Sequence, residues 1–210
     1  MTKELSLTIT GGGYDHDVLS SAEEFAMMAK YNEFSHRHRF AAWAAGTAAR
    51  ASKKNRFSVR KGVAILEAAG FNADFGNPSN LPSASDMDSA HRQWREKVIV
   101  AAHQHGKVFT HGVAAKLINA YLKALFVCGP AAHDPRVQFL HPPIDRVLLK
   151  ALADGDVGGK SAYWRMAENR GWSNFDTGEY ETVIEQVRAL YPEGGYWRIE
   201  QYWQGFQGND

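Results

Sequence analysis

The stretch "FTHGVAAKLINAYLKALF", residues 109–126, is apolar enough to form a helix buried on most sides, yet it carries a lysine, Lys116, near its start. After a gap rich in Gly and Pro the chain continues "HPPIDRVLLKAL", residues 141–152, where Asp145 follows two prolines at the start of a second apolar helix. A lysine in the first turn of a helix meets the positive end of the helix dipole. Partial burial acts in the same sense, so both favour the neutral amine, a nucleophile able to form a Schiff base. Asp145 is in the opposite situation. Pro142 and Pro143 favour a helix start, and a carboxylate in the first turn is stabilised as the anion. Such an anion can orient a nucleophile and stabilise an oxocarbenium-like sugar as a base departs. Together the two groups suit displacement at a sugar carbon.

Working outward, the same helical period runs through most of the chain. "SSAEEFAMMAKYNEF" opens on Ser20 or Ser21 as a cap, and "HRHRFAAWAAGTAARASKK" spaces Phe40, Trp43 and Thr47 along one side. "SVRKGVAILEAAGF" has Ser58 as cap and Gly70 as stop, and "SDMDSAHRQWREKVIVAAHQHG" starts at Ser85 and stops at Gly106. Residues 72–84 form an Asn/Pro/Ser-rich loop, and three further helical segments follow residue 160. Only residues 3–10, "KELSLTIT", alternate as a strand does, ending at the turn Gly11–Gly13. The expected class is mainly α, a multi-helix fold of eight or nine helices with a short N-terminal strand. It forms a single helical domain over 1–210, as one unit or two lobes.

Composition narrows the classes. A chain of 210 residues with 44% hydrophobic and 12% aromatic residues can bury a sizeable core. The single cysteine, Cys128, excludes an intramolecular disulfide and any cysteine-based zinc site; its apolar surroundings predict a buried thiol. The first residues lack the apolar core of a signal peptide and no stretch is long and apolar enough for a membrane span, so a cytoplasmic protein is expected. Net charge is +1, but between Lys30 and Lys61 nine Lys/Arg face one acid, while from Asp154 onward ten acids face five Lys/Arg. This separation suggests a polyanion-facing side that includes Arg56, Arg60 and Lys61, or else ordinary solvated helix faces.

The glycine at the turn before Lys116 adds a further clue. Unpaired N–H groups at a helix N-terminus can hold a DNA phosphate, which makes Gly112, Val113 and Ala114 candidate contacts. "HGVAAK", followed about thirty residues later by "HPPIDR", resembles the helix-hairpin-helix DNA glycosylases. Gly112, Val113 and Lys116 match the family's hairpin, and Pro143, Ile144 and Asp145 match the opening of its next helix. Ala114 stands where the family has a second glycine, and His111 where it has a proline. The motif lies in residues 105–152, and residues 85–152 would form the helix-hairpin-helix and catalytic segment. In bifunctional members, such as 8-oxoguanine DNA glycosylases, the matching lysine attacks the deoxyribose and the matching aspartate assists.

The resemblance therefore implies a bifunctional DNA glycosylase and abasic-site lyase working through a Lys116 Schiff base. Its partner would be double-stranded DNA with a damaged or modified base, and the protein would act as a monomer without cofactor or metal. Lys123, seven residues on, is a fallback nucleophile. Trp43, Phe109, Tyr121, Trp197, Tyr202 and Trp203 are candidates to fill the duplex or stack on an extruded base. The pairs His36/His38 and His103/His105 are two apart and point to different sides of a helix, so they do not suggest a metal set. Two readings of other classes remain: a non-catalytic helix-hairpin-helix DNA-binding module, and an all-α interaction protein.

Overall fold

The computed structural model describes residues 31–49 and 56–205. The chain divides into a unit of Met1–Asn32 and a unit of Glu33–Asp210. The second unit contains all seven α-helices found among the described residues: α1 (Glu33–Ala49), α2 (Val59–Ala68), α3 (Met87–Gln104), α4 (His111–Leu122), α5 (Arg146–Asp154), α6 (Ser161–Arg170) and α7 (Thr177–Leu190). A 3-10 segment, Tyr196–Tyr202, follows α7. The class is mainly α, with no strand among the described residues. The strand expected at residues 3–10, its glycine turn and the Ser20/Ser21 helix start lie outside them. Among the described residues no helix is long and apolar enough to cross a membrane.

Helix α4 is the axis of the core, because every residue from Gly112 to Leu122 is buried. A helix apolar on all sides can be stable only when neighbours cover it all round. Here α1, α3, α7 and the turn Trp172–Asn174 pack against it. Helix α1 turns Ala41, Ala42, Ala45 and Ala49 inward, all with no exposed surface. Small side chains allow the two backbones to approach closely. The side bearing Phe40 and Trp43 faces outward, with 58% and 54% of their surfaces exposed.

Local chemistry accounts for most helix ends. Ser58 accepts a hydrogen bond from Lys61 N, as an N-cap does. Helix α7 starts with a capping box between Asp176 and Glu179. Helix α3 departs from expectation: it begins at Met87 after Asp86, and no side chain caps it, while Ser85 bonds to Ser83 instead. The loop over residues 72–84 contains two short 3-10 turns, Ala73–Gly76 and Pro78–Asn80.

Helix α4 does not stop at a break but widens into a π-helical turn, Lys123–Val127, closed by Cys128 N–H to Lys123 O at 2.9 Å. That turn carries Cys128 to an exposed position, which corrects the expected buried thiol. Farther on, Gly194 and Gly195 both take positive φ (90° and 76°), and Gly195 N–H donates to Gln138 O at 2.7 Å. The last 3-10 segment is thereby tied to the connection between α4 and α5.

Candidate active site

Helix α5 begins at Arg146, so Asp145 is its N-cap rather than part of its first turn. Asp145 Oδ1 accepts from Leu148 N–H at 2.9 Å. Its other oxygen, Oδ2, accepts from Lys116 Nζ at 2.9 Å and from the Trp203 indole N–H at 3.0 Å. Lys116 and Asp145 are 29 residues apart in sequence and form an ion pair in the fold. The lysine side chain is 7% exposed and the aspartate 18%, so the carboxylate is the more accessible partner. Lys116 Nζ also lies 3.5 Å from Pro143 O.

The pair is costly for stability alone. A buried ion pair is often matched or bettered, by about 1–4 kcal/mol, by apolar side chains of similar volume. Asp145 has a structural reason to be present as a cap. Lys116 interrupts the apolar run of a helix buried all round, and there it meets Asp145 and Pro143 O. It faces a carboxylate that is itself only partly covered.

A second ion pair stands beside the first. Lys123 pairs with Glu200, and its Nζ lies 5.9 Å from the centre of the Trp203 ring. Burial pushes the Glu200 carboxyl above its ordinary range, against the pull of Lys123 and Lys116. Lys123, the alternative nucleophile, is therefore held by its own carboxylate. Nothing local in the sequence singles out Glu200, one of many acids in the C-terminal third.

Of the aromatic candidates, Trp203 alone among those named reaches Asp145. Phe109 and Tyr121 are core residues, 5% and 0% exposed. Trp43 and Trp197 face outward, and Tyr202 is half-buried.

The hairpin amides are hydrogen-bonded within the fold. Gly112 N–H donates to Phe175 O at 3.1 Å, Val113 N–H to Thr110 Oγ1 at 3.2 Å, and Ala114 N–H to Thr110 O at 3.0 Å. All three groups expected to face a phosphate are engaged inside the fold, and the three residues are buried. Gly112 has a packing role: a Cβ there would lie 1.8 Å from Trp172 O. The cations lie nearby on the surface. Lys61 Nζ donates to His105 O at 3.0 Å, and Lys107 Nζ to Arg56 O at 2.7 Å. Arg56 and Arg60 are exposed. Lys61, Lys107 and the Arg56 backbone thus meet beside the turn joining α3 to α4, while Lys30, Arg50, Lys53 and Lys54 lie outside the described residues.

Among the described residues no group of three His, Cys, Asp or Glu side chains could hold a metal ion. No family model, curated protein or solved structure matches the chain, so its function has to be read from the geometry of Lys116 and Asp145.

Proposed function

We propose that the protein is a bifunctional DNA glycosylase and abasic-site lyase of the helix-hairpin-helix type, acting on duplex DNA with a damaged or modified base. The observation that carries this reading is the buried lysine paired with an aspartate at the N-terminus of the next helix. Attack requires a free amine, and the group in contact that can accept the ammonium proton is Asp145. The amine then attacks C1′ of the deoxyribose as the base leaves with the electrons of the glycosidic bond, and Asp145 passes the proton taken from Lys116 to the departing base. Ionised again, Asp145 offsets positive charge at C1′, takes a proton from the attached nitrogen and returns it to O4′ as the C1′–O4′ bond opens. The resulting Schiff base acidifies the C2′ proton; its loss expels the 3′ phosphate and cleaves the strand. The cations beside the α3–α4 turn would meet the DNA backbone.

Borohydride trapping on a duplex with one abasic site tests this directly. Wild type should be captured covalently, and Lys116→Gln should not be, because an amide cannot form the iminium. Its DNA affinity should stay within about an order of magnitude, since one lysine is a small share of the phosphate contacts. Asp145→Asn should slow excision of a base by on the order of 10² or more while trapping on a pre-formed abasic site survives better.

One observation favours a second reading, an all-α interaction protein without nucleic-acid chemistry: the turn amides expected to hold a phosphate are engaged internally. Absence of both trapping and salt-sensitive DNA binding in wild type would select it. Salt-sensitive binding without trapping would select a non-catalytic DNA-binding module.

A further inference from the structure

One turn beyond Lys116, helix α4 carries another buried polar side chain, Asn119, which has no exposed surface. Its Nδ2 donates to Pro142 O at 2.9 Å and to the Tyr180 hydroxyl at 3.0 Å. Its Oδ1 lies 2.7 Å from His91 Nε2. The remaining partners fix the direction of each bond. Arg95 donates to His91 Nδ1 at 2.9 Å, so His91 Nε2 carries the proton and donates to Asn119. The Tyr180 hydroxyl, having accepted from Asn119, donates to His141 Nδ1 at 3.0 Å, and His141 Nε2 donates to Asp88 Oδ1 at 3.0 Å. Every polar atom of the Asn119 amide is thus oriented by groups on α3, α7 and the segment before α5.

That segment is unusual in what it offers. Pro142 and Pro143 have no N–H, so their backbone can be anchored only through carbonyl oxygens. Helix α4 supplies donors to both, Asn119 to Pro142 O and Lys116 to Pro143 O. Packing of Leu140 and Ile144, 2% and 3% exposed, keeps the segment on the core. Apolar packing is non-directional, however, and a hydrogen bond from a rigid, fully partnered amide sets position along the chain.

We propose that Asn119 is a positioning residue for Asp145: by holding Pro142 O it sets the place of the cap and of the carboxylate facing Lys116. The effect on the segment stands by itself, while the effect on chemistry rests on the lyase reading. A buried asparagine that merely completed a polar network would stabilise the fold without selectively ordering the start of α5.

The test uses Asn119→Ala and Tyr180→Phe in the full chain. The second variant keeps the ring stacked on His91 and under Arg95 but removes the hydroxyl that orients the amide. Hydrogen exchange at Leu148 reports directly on the Asp145 cap, and borohydride trapping on an abasic duplex reports on the pair. In Asn119→Ala, Leu148 N–H should exchange about tenfold faster while Leu152 and Ala153 change less than about twofold. Trapping should slow by about tenfold. Tyr180→Phe should act in the same direction by about threefold, and it carries the test if Asn119→Ala does not fold. Unchanged protection of Leu148 in a folded variant overturns the proposal, as does equal loss of protection along all of α5. If wild type does not trap but Leu148 responds, the positioning role stands and the lyase reading falls.

Discussion

Trp203 and Lys116 donate to the same atom: the indole N–H reaches Asp145 Oδ2 from 3.0 Å and the ammonium from 2.9 Å. The Leu148 amide holds the other oxygen, so the carboxylate is fixed by three donors from three parts of the chain. A lysine leaving this oxygen to attack a substrate leaves Asp145 with two donors still in place. In the proposed reaction Trp203 would therefore keep the anion oriented while its partner reacts.

Replacing Trp203 with Phe keeps a ring beside Lys123 and removes only the N–H. Hydrogen bonds to charged groups contribute about 1.5–3 kcal/mol. Part of that loss should fall on the reacting geometry, slowing Schiff-base trapping about 5–10-fold, and Trp203→Ala should slow it further by also removing the ring that lies over Lys123. Trapping by Trp203→Phe at the wild-type rate would show that the indole N–H has no part in the reaction.

Gly112→Ala should act on the fold. Its Cβ would enter the contact distance of the Trp172 carbonyl and of Phe175 Cβ, which lies 3.1 Å from the added atom. Overpacking typically costs about 1–3 kcal/mol, and a clash with backbone belongs at the upper end. At about 2–4 °C per kcal/mol for a chain of this size, the melting temperature should drop by about 6–12 °C. DNA affinity measured well below that temperature should hardly change. A stable variant with impaired binding would restore the phosphate role that the internal hydrogen bonds argue against.

The paired imidazoles of His91 and His141 predict a stability limit on the acid side. Their ring centres are 4.2 Å apart; burial holds His91 well below the ordinary histidine range and lowers His141, with Arg95 adding to both effects. Asp88 pulls His141 the other way, and the hydrogen bond from His141 holds the Asp88 carboxyl at about 2. For a histidine lowered on folding, the unfolded chain binds more protons below about pH 6.5, so stability is complete above that pH and declines as pH falls. Two such groups give a slope of up to about 2.7 kcal/mol per pH unit. Asp88 contributes only from about pH 5 downward, where the unfolded carboxyl begins to protonate. Denaturant midpoints should be flat from pH 8 to 7 and fall between 6.5 and 5.5; a flat profile across that second window would contradict the neutral pair.

The catalytic candidates were legible because their signals are local. A lysine inside an apolar helical run and an aspartate after two prolines each stand out within a few residues. Gly112 was ambiguous for the same reason: a turn glycine before a helix looks alike whether a phosphate or a carbonyl approaches it. The difference lies in Trp172, sixty residues farther on. Trp203 could be named as an aromatic near the end of the chain, but its bond to Asp145 spans 58 residues and follows no period. Cys128 lies in an apolar run and was read as buried, whereas the π-helical turn changes which side the helix end presents. Asn119 did leave a trace, as an amide one turn from Lys116 in a run otherwise made for burial.

The bond from Gly195 to Gln138 makes the long connection before Asp145 more than a spacer. Gln138 and Phe139 also press within 3.1–3.3 Å of where a side chain on Gly194 would begin. The stretch between lysine and aspartate is thereby moored to the arm that brings Trp203 back to the same aspartate. Insertions or deletions there would have to preserve the mooring point, and drift in the length of this connection should be matched by change around Gly194 and Gly195.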